Sequence, residues 1–344
     1  MKRLVCTIIL LWGVGGFFIK SAPIEENYDE DIWFEEVFGF SNLASLYKRD
    51  LEELMFIWEN GWGFKTSEVL FDDDIDLNIF SDYAILVNLT TNEVIFERNA
   101  DLKAYPASLT KIMTVLVALE HGSQETMKVN VDFNELAAAN AAIAGFRNGE
   151  ELSKMDLLMG TMLPSGADAS LTLAHHIAGS EAAFVELMNE KAAALGMTET
   201  HFMNVTGLHH AEHYTTARDM AILVKMAIRN PEFREIFSAE FYETETGIPL
   251  SFRSRMFERM DSPVFEGGQI LGGKTGYTWE ALLCLASIAT DGEHEYALIT
   301  MHADGDPTPV HQDLSNTISD TPSRPTQEYH VLDALQIYHY FFNN

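Results

Sequence analysis

Two strand-patterned stretches stand far apart in this chain with a long helical block between them. That order constrains the fold more than any other feature. The first stretch, YAILVNLTTNEVIFERNA from Tyr83, alternates apolar and polar residues around a polar turn at Thr90–Asn92, which predicts a β-hairpin. The second comprises a strand around Lys274, then ALLCLASIA (281–289) and EYALITM (295–301). Between them, Pro106 breaks the chain and residues 109–120 carry a strong apolar helix pattern. Residues 132–206 predict mainly helix, with Leu152–Met162, Ala167–Ala178 and Glu181–Leu195 as candidates, and residues 216–229 predict another. Residues 304–328 are rich in Asp, Pro, Ser and Thr and predict an irregular loop, and Val331–Phe342 predicts a closing apolar helix. The order predicts an α/β fold: a sheet flanked by helices, plus an all-helical lobe.

The N-terminus divides from this domain by composition. Lys2 and Arg3 precede an apolar run from Leu4 to Ile19, the pattern of an export signal. Cleavage after Ala22 would put Lys20 where a small residue is wanted and Pro23 just past the cut, which favours an uncleaved anchor. Residues 1–22 are therefore expected to be a signal sequence or N-terminal membrane anchor, attaching the rest of the chain to the outer side of a membrane. Residues 23–80 predict an acidic spacer with a candidate amphipathic helix over 41–58, and the compact domain is expected over 81–344.

The formal net charge of -30 repels a phosphate backbone, so no nucleic-acid partner is expected. Cys6 and Cys284 are far apart and no CxxC pair exists, so neither a disulfide framework nor a thiolate zinc site is expected. His175 and His176, and the group His209, His210 and His213, lack a carboxylate spacing that would complete a metal site. They read as loop or surface residues, and no metal is expected.

Three short segments carry chemistry. In Pro106-Ala107-Ser108-Leu109-Thr110-Lys111, the serine and lysine stand three residues apart, on one face of a helix start. A serine hydroxyl is a weak nucleophile that needs a neighbouring base, and a lysine serves only if burial or another cation disfavours its charge. Alone, this spacing is equally that of a helix cap and a surface lysine. In Leu163-Pro164-Ser165-Gly166-Ala167-Asp168, Ser165 is placed to relay a proton between Lys111 and a leaving amine, although PSG alone is an ordinary turn. In Gly272-Gly273-Lys274-Thr275-Gly276-Tyr277-Thr278, Lys274 offers positive charge, Thr275 a hydroxyl, and Gly276 close approach to the strand backbone. The GxxxxGK[ST] pattern of a phosphate loop is absent. Arg218 in TTARD reads chiefly as a structural partner of a carboxylate, with substrate binding as the alternative.

Each segment is weak alone, but SxxK, a second serine motif and KTG in this order form the signature of β-lactamases and penicillin-binding proteins. The chain resembles the serine D-alanyl-D-alanine carboxypeptidases, the low-molecular-mass penicillin-binding proteins. The likeness extends through FVELMNEKAAALGM (184–197) and FMNVTGLHHAEHYTTARDMAIL (202–223), from about Asp82 to about Ala303. It implies a β-lactamase/transpeptidase-like fold with an antiparallel sheet, and a penicillin-binding D,D-peptidase domain over 81–344. No separate C-terminal β-domain follows, unlike many members, which agrees with anchoring from the N-terminus. The implied activity removes the terminal D-alanine from peptidoglycan stem pentapeptides through an acyl-enzyme, with β-lactams as covalent inhibitors and no cofactor. Implied roles are Ser108 as nucleophile, Lys111 as base, Ser165 as proton relay, and Lys274, Thr275 and Gly276 as the substrate-carboxylate side. One departure stands out. The family's second motif usually ends in Asn, which holds a substrate carbonyl, and this chain has Ala167. Either Asp168 or a neighbouring group takes over, or the grip on substrate differs. The alternatives are a D,D-endopeptidase, a class A β-lactamase-like enzyme, for which no ExxLN loop follows Ser165, and a catalytically weak wall-binding protein.

Overall fold

The computed structural model describes residues 6–13, 16–23, 63–65, 70–71, 77–121, 126–304 and 327–343. The chain divides into two units, Met1–Gly61 and Trp62–Asn344. In the first, β1 (Cys6–Gly13) and β2 (Gly16–Pro23) pair antiparallel as a hairpin. No helix among the described residues is long and apolar enough to cross a membrane. The helix expected over 41–58 and most of the loop expected over 304–328 lie outside the described residues.

The second unit is built on a seven-stranded sheet in which distant parts of the chain meet. Its strands are β3 (Leu70–Phe71), β4 (Ser81–Asn88), β5 (Glu93–Arg98), β10 (Val264–Phe265), β11 (Gly268–Thr278), β12 (Leu282–Thr290) and β13 (Glu295–Ala303), in the order β10-β11-β12-β13-β4-β5-β3. All neighbours are antiparallel except β3 and β5. The β4–β5 hairpin thus joins the C-terminal strands through β4 against β13, with Leu86 opposite Leu298 and Ala84 opposite Thr300. The edge strand β3 comes from the stretch the sequence assigns to the acidic spacer. It pairs Leu70 with Phe96.

Local chemistry sets the hairpin turn. Asn88 Oδ1 accepts the amides of Thr90 and Thr91, and Asn92 takes the left-handed conformation that asparagine tolerates. Alternation along the strands then separates two cores. Tyr83, Ile85 and Val87 face the helices, while Ala84 and Leu86 face the other way. On that second face the C-terminal helix lays Ala334, Ile337 and Tyr338 against Leu285 and Leu298. Because both faces are covered, β4 is buried along its whole length, and its sequence reads as a nearly continuous apolar run. Asp333 fixes the C-terminal helix by accepting the amides of Phe80 and Ser81 at the entrance to β4.

The helices are α1 (Thr110–His121), α2 (Phe133–Ala138), α3 (Lys154–Met162), α4 (Ala167–Ala178), α5 (Glu181–Ala194), α6 (Ala217–Ala227), α7 (Pro231–Ser238) and α8 (Tyr329–Asn343). Side-chain caps start most of them: Asp132, Ser153, Ser180, Thr216 and Asn230 each accept an amide of the first turn. Residues 132–206 are less helical than their composition predicts. Residues 139–150 and 196–206 are turns and extended chain around the site, and β6 (Thr126–Lys128) pairs with β7 (Glu151–Ser153). Helix α7, with Asn230 as cap and Pro231 in the first turn, was not expected from the sequence. A third short pair, β8 (Phe241–Glu243) with β9 (Ser251–Arg253), precedes β10.

Candidate active site

Ser108 sits in a one-turn 3-10 helix, Ala107–Leu109, that runs directly into α1. Ala107 is held at φ 45, a conformation that costs a residue with a Cβ about 1–2 kcal/mol. A buried relay holds it there. Thr110 Oγ1 donates to the Ala107 carbonyl at 2.8 Å and lies 2.8 Å from His213 Nε2. The Met203 amide donates to His213 Nδ1, so Nε2 carries the hydrogen and donates to Thr110. Burial, then the neighbouring histidines, lowers the His213 pKa to about 3, so the ring is neutral and adds no charge beside Lys111. His213 is therefore a buried support of the serine turn on a loop, not the surface residue that the sequence also allowed.

Lys111, one helical turn on, places Nζ 3.1 Å from Ser108 Oγ, and also donates to the carbonyl of Thr206. Its burial, with the Arg255 charge adding to it and Asp168 opposing, lowers its pKa to about 7. A substantial fraction of the amine is then neutral near neutral pH, and a neutral amine can accept the serine proton. The Thr206 carbonyl is presented by a tight loop in which Asn204 Oδ1 accepts the amides of Thr206 and Gly207. Gly207 has φ 78, and a Cβ there would lie 1.9 Å from the Ala107 oxygen, so only glycine lets the loop press against the serine turn.

Ser165 follows α3 in the left-handed conformation, φ 67. Its buried hydroxyl has no hydrogen-bond partner among the described residues. Ala167 opens α4 and its amide donates to the Ala142 carbonyl. Asp168 is fully engaged elsewhere: its carboxylate accepts the amides of Ala144, Gly145 and Phe146. It holds the 140–146 loop.

The opposite wall is β11. Along Gln269–Thr278 it is paired to β12, while β10 covers only its start, at Gly268 and Gln269. The other edge of Thr275–Thr278 therefore has no strand partner among the described residues. A Cβ on Gly276 would lie 3.0 Å from the Ser108 nitrogen, so the strand and the serine turn are in close approach. One pocket brings together Ser108, Lys111, Ser165, Ala167, Thr275 and Gly276. Lys274 is not on its surface. Its buried amine donates to the Thr275 carbonyl at 2.8 Å and has its pKa pushed well down by burial and by Lys111, Arg255 and Arg259.

Several lining residues were not picked out from the sequence. Arg255 and Arg259 line the pocket beside β11, as do Asn140 on the opposite loop and Trp279 at the rim. Trp279 is half exposed and meets the Tyr277 ring edge-on at 5.8 Å between centroids. None lies within a motif, so nothing local marked it. Arg218 lies outside the pocket and pairs with Glu97 and Asp101 at 2.6 Å each, the structural reading. Among the described residues no cluster of His, Cys, Asp and Glu is arranged to hold a metal.

Comparison with known proteins gives a consistent result. The profile of the peptidase S11 family, D-alanyl-D-alanine carboxypeptidase, matches residues 71–305. D-alanyl-D-alanine carboxypeptidase DacF of Bacillus subtilis (strain 168) is 35% identical over 222 residues, covering 61% of this chain and 54% of that protein. The D-alanyl-D-alanine endopeptidase of Escherichia coli (strain K12) is 30% identical, covering 66% of this chain and 73% of its own length. The crystal structure of the Streptomyces K15 DD-transpeptidase superposes with a TM-score of 0.63 at 25% identity, over 77% of this chain and 98% of that one. The chain spans about half the length of the curated carboxypeptidases it matches. With the serine–lysine pair, the second serine turn and the KTG strand meeting in one pocket on this fold, the chain belongs to the peptidase S11 family.

Proposed function

We propose that this protein is a serine D-alanyl-D-alanine carboxypeptidase that removes the terminal D-alanine from peptidoglycan stem pentapeptides. The observation that carries this reading is the contact of Lys111 Nζ with Ser108 Oγ at 3.1 Å, in a site that lowers the lysine pKa to about 7. The peptide enters extended along the open edge of β11, adding a strand whose backbone groups pair with Thr275–Thr278. Ser108 Oγ attacks the carbonyl carbon between the two D-alanines while the Lys111 amine takes its proton. The oxyanion is held by backbone amides, that of Ser108 and one following Gly276. The C–N bond then breaks, and Ser165, whose hydroxyl has no hydrogen-bond partner among the described residues, passes a proton to the departing D-alanine amine. Water hydrolyses the ester and frees Ser108.

The terminal carboxylate fits the Thr275 hydroxyl with Arg255 beside it on the pocket wall. Lys274 is buried in the same strand, beside Thr275, and its amine donates to the Thr275 carbonyl, which braces the strand next to the carboxylate site. A β-lactam mimics the acyl-D-alanine bond and acylates the same serine. This substrate places the domain outside the cytoplasm, in keeping with the basic-then-apolar N-terminus, which would anchor it to the membrane.

The test incubates the protein with a pentapeptide ending in D-Ala-D-Ala and, separately, with cross-linked muropeptides. Release of free D-alanine from the pentapeptide is the expected result. Cleavage of the cross-link alone would make the enzyme an endopeptidase. Absence of both would contradict the proposal.

A further inference from the structure

A substrate strand laid on β11 turns the other edge of its backbone toward the opposite wall. A peptide group desolvated there needs both a donor and an acceptor. Ala167 has no polar side chain to give, Ser165 is taken by the proton relay, and several neighbouring polar side chains are already used. The Asp168 carboxylate holds three amides of the 140–146 loop. The Asn204 carboxamide is spent on the amides of Thr206 and Gly207 and the carbonyl of Leu208. The Thr206 hydroxyl donates to Asn204 Oδ1.

Asn140 differs from all of these. It lines the same pocket as Ser108, Ser165 and Ala167, is exposed to solvent, and its carboxamide makes no hydrogen bond within the described protein. Its backbone is nevertheless fixed. Asn140 adopts φ 49, and its amide donates to the Ala137 carbonyl at 3.1 Å. The loop that follows is tied to the head of α4 at two points: the Ala167 amide donates to the Ala142 carbonyl, and Asp168 takes the amides of Ala144, Gly145 and Phe146. A carboxamide on a fixed, left-handed residue is a prepaid donor–acceptor pair on the wall where Ala167 leaves none.

We infer that Asn140 is the residue that grips the backbone amide of the substrate's acyl half, in place of the second-motif asparagine that this chain lacks. The division of labour also assigns a role to Asp168: it positions the 140–146 loop and meets no substrate. The inference rests on the proposed peptidase reading.

The test compares wild type, Asn140→Gly and Asn140→Asp. Glycine keeps the left-handed backbone while deleting the side chain, and aspartate keeps an acceptor without a donor. Two pentapeptides are used, one ordinary and one N-methylated at the amide that precedes the penultimate D-alanine. In wild type, N-methylation is expected to lower kcat/KM by about ten- to a hundredfold. Asn140→Gly is expected to lose a similar factor on the ordinary peptide and to show little further loss on the methylated one. Asn140→Asp, left without a donor, is expected to fall between wild type and Asn140→Gly on the ordinary peptide. Adding Ala167→Asn to Asn140→Gly is expected to recover part of the ordinary rate. Unchanged kcat/KM in Asn140→Gly, or losses from mutation and methylation that simply multiply, would overturn the inference. A wild type that releases no D-alanine would instead overturn the peptidase reading itself.

Discussion

The two walls of the pocket are built by different means. The β11 wall is one continuous strand, paired along its length to β12 and backed by the sheet core, so Thr275 and Gly276 are placed by register alone. The helix-side wall is assembled from turns: the serine turn at Ala107, Ser165 at φ 67, the Thr206–Gly207 loop and the 140–146 loop. Three of these turns are held by particular side chains: the serine turn by Thr110 with His213, the Thr206–Gly207 loop by Asn204, and the 140–146 loop by Asp168. A strand wall is placed by its ladder of backbone pairs and depends less on any one supporting side chain. A wall of turns fails locally when its one support is removed. The nucleophile and the proton relay stand on the second kind, and the base stands in the first turn of the helix that follows the serine turn.

The contrast can be broken most severely at the chemical pair. Lys111→Ala should lower acylation by about a hundred- to ten-thousandfold with the domain still folded, read as the rate of penicillin adduct formation. The same pair predicts the pH profile. Only the neutral amine is a base, so acylation in wild type should fall below about pH 7 and level off above it. Arg255→Ala removes a cation that helps keep Lys111 neutral, so it should move that limb to higher pH. An unmoved limb would assign the ionisation to another group. Next in size, Gly207→Ala forces a Cβ to 1.9 Å from the Ala107 oxygen and should cost at least about 2 kcal/mol in denaturant unfolding, with activity lost in parallel. The matching change on the strand wall, Gly276→Ala, meets its nearest atom at 3.0 Å and should cost less stability. Equal costs would erase the distinction between the walls. The smallest effect sharpens it: Asp168→Asn keeps the shape but weakens the grip on three loop amides, which should cost about 1–3 kcal/mol and raise amide exchange in residues 140–146 before it is seen elsewhere.

The same division explains what was legible in the sequence. Strands β4, β5, β11, β12 and β13 and helices α1 and α3–α6 could be read, because burial on one or both faces imprints a period or an apolar run. Ser108 and Lys111 could be paired because a single helical turn brings them together. The helix-side wall could not be read in this way. Asn140 stands in a run of alanines that looks helical, and what takes it out of a helix is tertiary: Asp168 collects the amides of the next residues. His213 looked like one of a surface group, and only the fold places it behind Thr110. Lys274 was legible as a site residue, but its complete burial is set by the fold and not by the motif. The edge strand β3 carries an acidic flank that reads as spacer, and pairing to β5, not composition, recruits it.

The account stands or falls on one covalent bond. The full chain would be incubated with benzylpenicillin, its intact mass recorded, and the adduct located by proteolysis and fragment sequencing. The account predicts one penicilloyl group per chain, carried on Ser108 and absent from Ser108→Ala. An unmodified protein, or an adduct on any other residue, would contradict it.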